Sequence, residues 1–148
     1  MPDKAGKYYP EDNRHNIDML CEYSSTGILE LIPKACYPTL GFPGYPGDCS
    51  TMECTKAHTE EAAKAASDAI LTQLDEKYAG IFLKDTKFLM SDEPTIADFR
   101  FAPLLVFIKV ACVLPERIQK YYDDMCKLEG FKEGCQGAID FASKHWKS

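Results

Sequence analysis

The chain has 148 residues, with 23 Asp and Glu against 17 Lys and Arg and a formal charge of −6. That length suits one domain with a self-sufficient core. The acidic balance and the lack of a Lys/Arg-rich run argue against a nucleic-acid surface or an anionic membrane as partner, because phosphate binding needs clustered cations.

Residues 1–7 read as an extended N-terminal segment, too short and polar for a transit peptide and without the apolar stretch of a signal peptide. The first helix is predicted over residues 12–36, where Ile17, Leu20, Cys21, Ile28, Leu31 and Ile32 recur at helical spacing. Gly27 inside it costs about 1 kcal/mol against Ala, and Pro33 should kink or break its last turns. Residues 37–48 hold three Pro and three Gly, which predicts an irregular loop. A second helix is expected over 52–78, with Ala62, Ala66, Ala69, Ile70, Leu74 and Tyr78 on one face and Gly80 ending it.

Thr95-Ile96-Ala97-Asp98 stands directly before an apolar run over 99–114. A Thr at the N-cap and an Asp three residues on can each satisfy a backbone donor that the first turn leaves unpaired, a capping box with Asp in place of Glu. The carboxylate also suits the positive end of the helix dipole. Loss of the Asp98 side chain is expected to cost about 1–2 kcal/mol, the usual range for a cap. Pro103, inside the run, predicts a kink or a late helix start. Arg100, Pro103 and Lys109 interrupt the run, which falls short of a membrane span. Two shorter helices follow, near 116–128 and 131–146, separated by Gly130. No segment alternates as a strand would, so the fold class is all-α: a helical bundle around a buried, N-capped central helix.

Seven cysteines in a chain without secretory features point to reduced thiols in an intracellular, cytoplasmic protein. Cys49 and Cys54 flank the start of the second helix, and His58 alone stands near them. That makes no zinc spacing, and no metal is expected. Cys21, Cys36, Cys112, Cys126 and Cys135 fall on or near apolar faces as small core residues. His15, His58 and His145 have no neighbouring nucleophile, and Glu22 and Glu30 fit a solvated helix face.

The phrase Phe88-Leu89, Pro94-Thr95-Ile96-Ala97-Asp98-Phe99 resembles the opening of the central helix in the C-terminal helical domain of glutathione transferases. Tyr8-Tyr9-Pro10-Glu11-Asp12 with Arg14, Ile17, Asp18 and Leu20 is similar to the start of that domain in theta-like members, and residues 40–46 match its Pro/Gly-bearing connection. The likeness spans roughly 7–145. It implies one domain over 1–148 that lacks the N-terminal thioredoxin-like half, which supplies the catalytic residue and most glutathione contacts in complete transferases.

In theta-like members the region of Tyr23 and Ser25 lines the pocket for the electrophile, and Phe107 is a further lining residue on the central helix. The residues alone also fit a polar patch at a bend, since a pocket needs a second wall. The resemblance gives Thr95 and Asp98 a structural role and no catalytic residue. Loss of the second domain would leave apolar surface in need of cover, for which Tyr8, Tyr9, Ile17, Phe42, Tyr45 and Trp146 are candidates. The functional expectation is a non-catalytic interaction or structural module within a larger assembly, with other protein chains as partners and no cofactor. The alternatives are a split or degenerate transferase, using glutathione with a partner-supplied thioredoxin-like domain, and a carrier of small apolar ligands.

Overall fold

The structure is a computed structural model that describes residues 4–40 and 56–148. The elements in chain order are α1 (Lys4–Tyr8), a 3-10 turn (Glu11–Asn13), α2 (Arg14–Tyr23), a π turn (Ser24–Ile28) and α3 (Leu31–Leu40). Then come α4 (Lys56–Gln73), a π segment (Leu74–Phe82), α5 (Ile96–Ala111), α6 (Glu116–Cys126), α7 (Phe131–Ala142) and a 3-10 turn (Ser143–His145). No strand occurs among the described residues; an isolated bridge pairs Phe88 with Ser91. The chain is all-α, with α5 contacted by α2, α3, α4, α6 and α7.

Several elements differ from the sequence expectations. The N-terminal segment expected to be extended contains the short helix α1. The predicted first helix is two helices, and the break lies at the π turn and not at Pro33. Ser24, Ser25 and Thr26 each turn a hydroxyl back to the carbonyl four residues earlier, on Leu20, Cys21 and Glu22, at 2.9, 2.9 and 3.0 Å. Such back-bonding competes with the helix ladder and bends it, and Gly27 follows at once. Leu29 then bonds Ser24 O at 3.3 Å, five residues back, which is the π pattern. Pro33 sits at the third position of α3, where a missing N–H leaves no intrahelical bond unmade.

Residues 37–40 of the expected loop belong instead to α3, which continues through Pro38 to Leu40. The rest of that loop and the predicted start of the second helix lie outside the described residues. At its other end the second helix does not stop before Gly80. It widens into the π segment, in which a Cβ on Gly80 would lie 3.0 Å from Asp75 O, and closes with Leu83 N bonded to Tyr78 O at 2.8 Å. Helix α5 starts at Ile96 and runs unbroken through Pro103. The late start does not occur, because the capping box anchors the first turn eight residues before Pro103 on the sequence. Gly130, at φ 79°, supplies the left-handed turn between α6 and α7.

The core is aromatic at its centre. Phe101 on α5 stacks on Tyr78 with ring centroids 3.9 Å apart and planes 9° from parallel, and Tyr121 on α6 lies 6.0 Å from Phe101. Leu74, Leu105, Ile108 and Met125 fill the space around them with no exposed surface.

Candidate interaction face

The start of α5 is held from inside. Thr95 and Asp98 form the reciprocal capping box. Asp98 Oδ2 accepts from the Thr95 amide at 2.8 Å and its hydroxyl at 3.2 Å, and Oδ1 accepts from the Leu89 amide at 2.9 Å and the Tyr121 hydroxyl at 2.9 Å. Asp98 is completely buried. Burial pushes its carboxyl up, and the bonds from Leu89, Thr95 and Tyr121 pull it back down. With all its acceptor positions occupied by the protein, this carboxylate organises structure.

The same cap sets the rotation of α5. At 100° per residue, Ala97, Asp98, Phe101, Ala102, Leu105 and Ile108 turn inward, and all are buried. Ile96, Arg100, Pro103 and Phe107 fall within an arc of about 60° on the opposite side, with Leu104 beside it. Ile96 is 42% exposed and Arg100 is exposed, while Pro103, Leu104 and Phe107 are half-buried. A helix with an average apolar enough for full burial therefore keeps one side of its first three turns only partly covered.

Arg100 lies in the middle of that face. Its Nε and Nη2 both donate to Ser25 Oγ, at 3.1 and 2.5 Å, and Ser25 in turn donates to Cys21 O. The π turn is what presents Ser25 to α5. Among the described residues no carboxylate forms an ion pair with Arg100. Burial pushes the nearby Cys21 thiol up, opposed by the Arg100 charge.

The residues singled out in the sequence are placed as follows. Tyr23 packs edge-on against Phe82, with centroids 5.5 Å apart, and at a tilt of 58° against Tyr78, with centroids 5.9 Å apart. Ser25 bridges to Arg100. Phe107, two turns further along α5, gives its carbonyl to Cys36 Sγ at 3.1 Å. Clefts of about 340–440 Å³ whose linings do not include Tyr23, Ser25 or Phe107 lie elsewhere among the described residues.

Of the residues suggested as interface, Tyr8 packs edge-on against Phe99 with centroids 5.3 Å apart. The Tyr9 hydroxyl donates to Asp18 at 2.7 Å. Trp146 donates its indole N–H to Val106 O at 2.9 Å. Ile17 is fully buried and belongs to the core, so it offers no surface. Phe42, Tyr45, Cys49 and Cys54 lie outside the described residues, as does the side chain of His58. Among the described residues, no three His, Cys, Asp or Glu side chains gather as a metal would need, and no helix is long and apolar enough to cross a membrane.

Sequence reading missed Arg100 as part of a face, because it appears there only as an interruption of an apolar run. The three hydroxyl residues before Gly27 were the available signal for the π turn that brings Ser25 to it.

No family model matches the chain, and no curated protein matches it. Among solved structures it is similar to glutathione S-transferase unclassified 2 from Bombyx mori, at 22% identity with a TM-score of 0.62. The match covers 98% of this chain and 63% of that one, so the chain spans less than two thirds of its neighbour's length. At that identity the likeness is one of fold, and the all-helical chain is consistent with a transferase C-terminal-like domain.

Proposed function

We propose that this chain is a non-catalytic interaction module, a helical bundle that docks another protein through the outward face of α5. The observation that carries the reading is that face: Ile96, Pro103, Leu104 and Phe107 stay partly in water on the helix that otherwise forms the core. Exposed apolar residues aligned on one face favour a covering surface. We place the module in an intracellular assembly.

The test is the native mass of the full chain in extract of its source, compared between wild type and Ile96→Asp. An Asp at the first helical position suits the helix dipole, so the variant should fold. The wild type is expected in a species heavier than the chain alone, and the variant is expected to leave it. Identical elution of both proteins at the mass of the isolated chain overturns the reading.

A second reading rests on the neighbour being a glutathione S-transferase. A thioredoxin-like partner on the same face would supply the glutathione site, and the chain would complete a split enzyme. The two are separated by assaying the heavy species for glutathione conjugation, which only the split enzyme performs.

A further inference from the structure

We propose that Arg100 is the recognition point of this face and takes the carboxylate of an Asp or Glu side chain on the docked protein. The proposal rests on the docking reading above and adds the chemistry of what docks. A guanidinium carries five N–H groups in a planar fork. Arg100 directs Nε and one Nη2 hydrogen to Ser25 Oγ, which leaves the Nη1–Nη2 edge without a partner among the described residues. That edge matches the two oxygens of a carboxylate.

The bond to Ser25 also limits where the guanidinium can go. Ser25, in the turn that joins α2 to α3, is itself anchored to α2 by its bond to Cys21 O at 2.9 Å. The side chain is thus oriented before any partner arrives, which lowers the entropy lost on binding. No carboxylate of the described residues neutralises it, although the chain as a whole is acidic.

The surroundings favour a protein over a small carboxylate. Arg100 is exposed, so a free anion would meet a single charge in water, an interaction of little strength. A protein surface would also cover Ile96, Leu104 and Phe107. Excluding water there strengthens the charged hydrogen bonds that they flank.

The experiment uses the full tagged chain expressed in its source cells, as wild type, Arg100→Gln, Arg100→Lys and Ile96→Asp. A further form carries p-benzoylphenylalanine at Phe107. The fraction in the heavy species is measured by native chromatography, the photo-adduct is mapped by mass spectrometry, and each isolated variant is melted. Arg100→Gln is expected to reduce the heavy fraction about tenfold, and Arg100→Lys to fall between it and wild type, because Lys keeps the charge and loses the fork. All are expected to melt close to wild type, and the adduct is expected on a partner peptide that contains Asp or Glu.

If Arg100→Gln holds its partner while Ile96→Asp loses it, the carboxylate proposal is wrong and the docking reading stands. An adduct on a peptide without an acidic residue has the same meaning. A melting temperature lowered in proportion to lost binding would make Arg100 structural only. Wild type running as a lone chain removes the docking reading and the proposal with it.

Discussion

The Tyr121 hydroxyl donates to Asp98 Oδ1 at 2.9 Å, so a side chain of α6 completes the cap of α5. The Leu89 amide reaches the same oxygen at 2.9 Å and ties in the loop that precedes the helix. One buried carboxylate thus joins three parts of the chain. Removing it strands two amides and the hydroxyls of Thr95 and Tyr121 away from water, which is a larger penalty than an exposed cap. Asp98→Ala is expected to cost about 3 kcal/mol, above the 1–2 kcal/mol of a cap alone, and to lower the melting temperature by about 6–12 °C. Tyr121→Phe is expected to cost about 1 kcal/mol. Urea denaturation of the two single variants and the double variant measures both; additive losses would mean that the two side chains act independently.

The same carboxyl gives a pH dependence. Burial holds its folded value above the ordinary one, even against the bonds that oppose it. A raised carboxyl keeps its proton more tightly when folded. Its contribution to stability is therefore fully present below the unfolded value and is lost as pH rises through the folded value. The stability of wild type relative to Asp98→Asn is expected to fall as pH rises above the ordinary carboxyl value. A difference that grows as pH rises would reverse the sign of the shift.

The cap was legible because its two members lie three residues apart and the motif has a single local geometry. Leu89 and Tyr121 were not, since both reach Asp98 only through the fold. The break in the first helix was expected at Pro33, which proved harmless at the third position of α3. The hydroxyl run at Ser24, Ser25 and Thr26 carried the bend instead. The outward face of α5 followed from the helical period once its start was known, but the partner of Arg100 stands 75 residues earlier on the sequence. Phe42 and Tyr45 lie outside the described residues.

Two glycines separate local propensity from packing. Helix propensity alone favours Ala over Gly by about 1 kcal/mol. At Gly80 the added Cβ would meet the Asp75 carbonyl at 3.0 Å, and a backbone oxygen inside a π segment has little room to move. Gly80→Ala is therefore expected to destabilise by about 1–2 kcal/mol. At Gly27 the neighbour at 3.0 Å is Gln73 Oε1, the end of a side chain that can rotate, and Gly27→Ala should cost less than about 1 kcal/mol. Thermal melts of both variants check the order; a stabilised Gly80→Ala would mean that the π segment relaxes to an ordinary helix.

Thiol reactivity reads the core directly. Burial pushes Cys36 from 9.0 up to about 12 and Cys112 up to about 11. For Cys36 that lowers the thiolate fraction about thousandfold at any pH below both values. Each thiol also faces a carbonyl of α5, on Phe107 and Ile108. Both are expected to resist iodoacetamide in the native protein at about pH 8 and to react on unfolding. Site-resolved mass spectrometry measures this, and rapid native labelling of Cys36 would show that α3 opens away from α5.

The C-terminal residues lie across the end of the central helix. Trp146 donates to Val106 O at 2.9 Å, the Lys147 amide donates to Lys109 O at 2.9 Å, and the Lys109 ammonium sits 3.8 Å from the centre of the Trp146 ring. The Lys109 carbonyl belongs to the last turn, where helix carbonyls lack partners, so the Lys147 amide fills a vacancy that water would otherwise occupy. Trp146→Phe removes the indole donor and keeps most of the ring. The expected loss is about 1 kcal/mol from the hydrogen bond, with some weakening of the cation–π contact. Lys109→Met keeps the donor and removes the cation. Because Trp146 is the one tryptophan of the chain, its fluorescence reports this contact without interference. In Lys109→Met the emission intensity should change while the protein stays folded. An unchanged spectrum together with a full-strength Trp146→Phe would place the C-terminal residues in solution, away from α5.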